Sequence, residues 1–147
     1  MNLKAHCPFL SILCLLAFLF ALSADGAEVT VKVTDIPIAK GRLLIGLYDS
    51  KRNFLKKQLP NSVIAEVHNQ DDVVATLKNV SPGIYAIAVI HDLNGDGRLD
   101  RNIVGMPKEP LAFSVIKTIP KGRPKFPDCA FKVQGENMQM TIALVTK

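Results

Sequence analysis

Ile84-Tyr85-Ala86-Ile87-Ala88-Val89-Ile90-His91 constrains this chain more than any other stretch. It is apolar at successive positions, so a strand built from it has no face to offer to water. Such a strand belongs in the middle of a sheet that is covered on both sides. The stretch is bounded by a Pro82-Gly83 turn before it and by the acidic, glycine-rich Asp92-Leu93-Asn94-Gly95-Asp96-Gly97 after it.

Around this segment the chain reads as further strands. In EVTVKVTDI, Val29, Val31 and Val33 share one face and Thr30, Lys32 and Thr34 the other. GRLLIGLYD follows the turn residues Ala39, Lys40 and Gly41, while SVIAEVHN and DVVATLKNV are separated by the polar Asn69-Gln70-Asp71. CAFKVQG and MQMTIALV are joined by Gly135-Glu136-Asn137, the pattern of a hairpin. About seven short strands with turns between them predict an all-β antiparallel sandwich.

Val80-Ser81-Pro82-Gly83-Ile84-Tyr85 points to a Greek-key arrangement. A tyrosine placed second in its strand after a Pro-Gly turn can cross a sheet corner and bond its hydroxyl to upstream backbone. The plainer reading is a half-buried strand tyrosine. SKRNFLKKQ fits either a short helix or a loop. Between Asp100 and Asp128, prolines at 107, 110, 120, 124 and 127 argue against helix and against central-strand pairing. PLAFSVI is expected as a short edge strand within this long connection, a kind of segment that often carries function. The basic residues Lys117, Lys121, Arg123 and Lys125 cluster there, either to meet an anionic surface or as an ordinary solvated loop.

The N-terminus sets the expected compartment. Lys4 precedes the uncharged apolar PFLSILCLLAFLFAL and the small residues SADGA, the organisation of a secretory signal peptide over residues 1–26. The apolar run is shorter than the roughly 20 residues of a spanning helix. The mature chain, 27–147, is then one domain without a transmembrane segment, periplasmic or secreted. Net charge is +5, and removing Lys4 and Asp25 leaves it unchanged. Export argues against nucleic acid as a partner. Cys7 and Cys14 leave with the leader, so Cys129 has no internal disulfide partner. It is either a reactive or bridging thiol or a small buried apolar residue.

HDLNGDGRLD, residues 91–100, places oxygen donors at alternate positions of a glycine-containing loop. Carboxylates spaced by two can converge on a calcium ion, which takes six to eight oxygens. The candidate ligands are Asp92, Asn94, Asp96, the Arg98 carbonyl and Asp100, with Leu99 anchoring the loop to the core. Counted from Asp92, the twelfth place holds Ile103 rather than a bidentate glutamate, so Asn102 or Glu109 would have to complete the set. The expected affinity is then weak, roughly 0.1–1 mM. The alternative is a metal-free polar turn, since Asn94-Gly95 and Asp96-Gly97 are both turn dipeptides. His91 and His68 lack a third ligand at zinc spacing. Neither a nucleophile elbow nor a phosphate-binding glycine loop occurs.

SPGIYAIAVIHDLNGDGRLDRNIVGMPKEPLAFS, followed by KGRPKFPDCAFKV and a last alternating strand, resembles an exported bacterial family. This is the domain-of-unknown-function family numbered twenty-one forty-one. The shared pattern is Pro-Gly-x-Tyr-Ala, His-Asp-x-Asn-Gly-x-Gly-x-Leu-Asp, Gly-x-Pro-x-Glu and Phe-Ser. GRLLIGLYDSKRNFL is similar to that family's first hairpin region. One departure is visible: such proteins commonly read Gly-Phe-Ser-Asn where this chain has Ala112-Phe113-Ser114-Val115. The resemblance implies an exported immunoglobulin- or transthyretin-like sandwich, similar to carboxypeptidase-regulatory-like domains, and no activity.

These readings together predict a non-enzymatic module that binds an envelope protein or an extracellular ligand, with the acidic loop and the Gly-x-Pro-x-Glu segment at one end. A hydrolase using His91 with Asp92 or Glu109 is the alternative; it requires His91 in an open cleft. A purely structural envelope module is the third reading.

Overall fold

In a computed structural model of the chain, the described residues are 26–118, 120 and 122–145. The expected signal peptide lies outside them except for Gly26. Among them, eight strands and one helical turn follow in order: β1 Ala27–Thr34, β2 Arg42–Tyr48, β3 Val63–Glu66, β4 Val73–Val80, β5 Gly83–Asp92, β6 Leu111–Phe113, α1 Phe126–Cys129, β7 Ala130–Val133 and β8 Met138–Ala143. They form two sheets. One has the order β4-β1-β8, and the other β3-β2-β5-β6 with β7 also paired to β5.

The alternation in β1 does what its pattern predicts. Ala27, Val29, Val31 and Val33 are buried, while every second residue stays partly open. They face Leu43, Ile45 and Leu47 of β2 and Ile87 and Val89 of β5, forming the core between the sheets. On the outer face of the first sheet, Thr30 and Thr76 sit in register with their hydroxyls 3.3 Å apart. This sheet is therefore wet on one side.

The second sheet is covered fully on its inner face and only in part on its outer face, where Ile84 is exposed and Ile90 half-buried. Leu44, Gly46 and Tyr48 of β2 lie opposite Ile90, Ala88 and Ala86 of β5. At one end of this outer face a second apolar layer forms from Tyr48, Phe54, Ala86, Ala88, Leu111, Phe113, Phe126 and Cys129. Phe54 is its hub, with ring centroids 5.4 Å from Tyr48 and 5.9 Å from Phe126, both edge-on. Residues 51–56 form turns, so SKRNFLKKQ is a loop that delivers Phe54 to this layer.

Tyr85 makes the corner bond, its hydroxyl donating to the Ser81 carbonyl at 3.0 Å. β6 is a three-residue edge strand, as PLAFSVI suggested.

Three expectations are corrected. β7 and β8 are not a hairpin: β7 pairs with β5 and β8 with β1, so the Gly135 turn carries the chain from one sheet to the other. β8 runs parallel to β1, so the sandwich is not wholly antiparallel. Parallel neighbours need a long crossover, and here the rest of the domain lies between them. The proline-rich stretch also contains one helical turn. Pro127 stands in its first turn, where a missing N–H costs no intrahelical bond.

Cys129 is fully buried at the end of that turn. Burial and then Asp128 push its thiol up to about 11. It is a packing residue rather than a reactive thiol.

Candidate functional site

The acidic loop starts where β5 leaves the sheet, and its first carboxylate is already engaged. Asp92 is fully buried, and its Oδ1 accepts the Gly95 amide at 2.7 Å. Its Oδ2 accepts the Gly97 amide at 2.9 Å and Arg42 Nε at 3.0 Å. Gly97 has φ +79°, a conformation that glycine adopts without strain and that turns its amide inward. Burial alone would raise the Asp92 carboxyl, but the Gly97 amide, Arg42 and the Gly95 amide together hold it below the ordinary carboxylate value.

The remaining polar side chains order the loop locally. Asn94 Oδ1 accepts the Asp96 amide at 3.1 Å, and Asp96 Oδ1 accepts the Arg98 amide at 2.8 Å. Asn94 Nδ2 reaches Asp100 Oδ2 at 3.3 Å. Arg42 Nη2 donates to the Gly95 carbonyl at 2.7 Å, placing a guanidinium against the loop. Leu99 packs on the second apolar layer, as expected of the loop's anchor.

The candidate ligands Asp92, Asn94, Asp96, Arg98 and Asp100 all take part in the loop's own hydrogen bonds. Both Asp92 oxygens accept hydrogen bonds, and the Arg42 guanidinium stands beside them. Among the described residues no cluster of three or more His, Cys, Asp or Glu is placed to hold a metal.

Glu109 has a different role from the ligand that its spacing suggested. Its Oε1 accepts the Leu93 amide at 2.9 Å and its Oε2 the Asp100 amide at 3.0 Å. The carboxylate thus clasps both legs of the loop. His91 lies on the other side of β5, opposite Leu43 and fully buried. Its Nε2 meets the Lys40 carbonyl at 2.7 Å, and its Nδ1 has no partner among the described residues. His68 is exposed after β3. His91, Asp92 and Glu109 are therefore used inside the fold, while His68 and Asp96 stay exposed.

The structure also contains a site that no motif signalled. A groove of about 990 Å³ runs over the outer face of the second sheet. Leu44, Ala88 and Ile90 lie beneath it, with Phe113 beside them and Val104 and Met106 at one edge. Gly46 keeps the floor low, since a Cβ there would come within 3.0 Å of the Tyr48 hydroxyl.

The loop next to the groove is built to hold its shape. Asn102 Oδ1 accepts the amides of Val104 and Met106, and Arg101 Nη1 donates to the Gly105 carbonyl. Ile103 and Val104 are nonetheless left largely open, at 104% and 75% exposure. Arg123, which also lines the groove, donates through Nη2 to the Leu55 carbonyl at 3.0 Å. Burial raises the Tyr48 phenol, while the charge of Arg123 pulls the other way.

Two signals in the sequence bear on this groove. One is the apolar character of both β5 faces; the other is Arg123, within the basic cluster. Arg42 gives no such signal, because a lone arginine opening a strand has no pattern of its own.

Among the described residues no helix is long and apolar enough to cross a membrane. No curated protein and no solved structure matches the chain. A family model does match, over residues 31–141, from the middle of β1 into β8, and it takes in the acidic loop and the groove residues. The chain belongs to that family, described as an uncharacterised protein conserved in bacteria (DUF2141).

Proposed function

We propose that this domain is an exported, non-enzymatic binding module whose ligand site is the groove on the outer face of the β3-β2-β5-β6 sheet. The groove itself carries the reading: about 990 Å³ of space over an apolar strand surface, at the upper end of the roughly 300–1,000 Å³ of small-molecule sites. Burial of His91 and the use of Asp92 and Glu109 as backbone acceptors favour binding over hydrolysis. The acidic loop, held by Arg42 and Glu109, serves as a rigid border and works without calcium.

Titration of the purified protein with the uncharged dye Nile red tests this reading. Saturable fluorescence enhancement is expected, and it should be lost in Leu44→Lys, which puts a charge on the groove floor. Unchanged binding in that folded variant would move the site elsewhere.

A further inference from the structure

The groove's charges narrow the class of its ligand. Lys56, Arg98, Arg101 and Arg123 border it, and no aspartate or glutamate does so among the described residues. The domain carries enough carboxylates to have placed some there. A single sign of charge around a low-dielectric apolar floor concentrates the opposite charge.

Arg101 and Arg123 each spend a guanidinium nitrogen on a backbone carbonyl, of Gly105 and Leu55 respectively. Those bonds fix the planar groups, and the other N–H donors of each guanidinium can meet an anion. Ile64, half-exposed on β3, and Val104 extend the apolar surface beyond the groove floor.

We propose that the groove takes a single-chain amphiphile with an anionic head: the acyl chain lies over Leu44, Ala88 and Ile90, and Arg101 and Arg123 receive the head group. This rests on the groove being the ligand site.

The test is calorimetric titration of the purified protein with monomeric decanoate and dodecanoate, and with dodecyltrimethylammonium and dodecyl maltoside as chain-matched controls. Dodecanoate should bind tightest, and each added methylene should tighten binding by roughly threefold to fourfold. The exposed double substitution R101Q/R123Q should weaken dodecanoate by about tenfold and leave dodecyl maltoside unchanged.

If the three dodecyl heads bind equally, the head-group assignment fails while the groove stands. If no amphiphile binds or displaces Nile red, the groove reading fails as well. Sedimentation with phosphatidylglycerol vesicles, without binding of monomers, would overturn the proposal in favour of a bilayer surface.

Discussion

Arg42 and Asp92 stand opposite each other in the β2–β5 register, with Nε and Oδ2 3.0 Å apart, although 50 residues separate them in the chain. The carboxylate is wholly buried and the arginine side chain is 29% exposed. The pair therefore fastens the acidic loop to the sheet instead of decorating the surface.

Replacing Arg42 by methionine leaves a buried carboxylate with only its two amide donors. The expected cost is about 2 kcal/mol, below that of a fully buried pair because Arg42 is partly solvated. Urea unfolding of the variant measures it. On the same argument, millimolar calcium should leave the wild-type melting temperature unchanged. A rise of several degrees would show that a cation can displace the guanidinium.

Asp92 also gives the fold an acid dependence with a definite sign. Its folded-state carboxyl is held below its ordinary value, so the unfolded chain takes up the proton first as pH falls. The stabilisation is complete above the unfolded value, about 3.9, and is lost as pH falls through the lower folded value. The measurement is unfolding free energy against pH for wild type and Asp92→Asn, whose curves should converge below about pH 4.

Glu109→Gln keeps one oxygen acceptor and replaces the other with a donor facing an amide. Loss of about 1–2 kcal/mol is expected, the cost of a buried group left unpaired. Hydrogen exchange should quicken at Leu93 and Asp100 more than at strand residues such as Ile87. Equal acceleration everywhere would mean that the clasp does not act on the loop.

Val115 is a β-branched residue at φ +71°, a backbone conformation that asparagine tolerates far better. It occupies the place where the resemblance set out above leads one to expect asparagine. Val115→Asn should therefore stabilise the domain by about 1 kcal/mol, read as a higher urea midpoint with an unchanged slope.

Cys129 should resist thiol reagents in the native state and react only as the protein unfolds. Labelling with iodoacetamide across a urea series would follow the unfolding transition. Rapid labelling in buffer would contradict its burial.

Local stereochemistry is legible in the order of the residues. Period-two alternation in β1 decides which side chains face the core, because successive side chains of a strand point to opposite faces. The unbroken apolar run decides that β5 lies centrally in its sheet, and the Pro-Gly-x-Tyr order decides the corner. The crossing from β7 to β8, the parallel β1–β8 pair, the Arg42 fastening, the Glu109 clasp and the groove are settled only in three dimensions. Each depends on which distant segment arrives alongside, and that follows from the packing of both sheets rather than from neighbours in the chain. The acidic loop shows the difference most clearly: its spacing suits a cation, and the side chain that packing brings to it is an arginine.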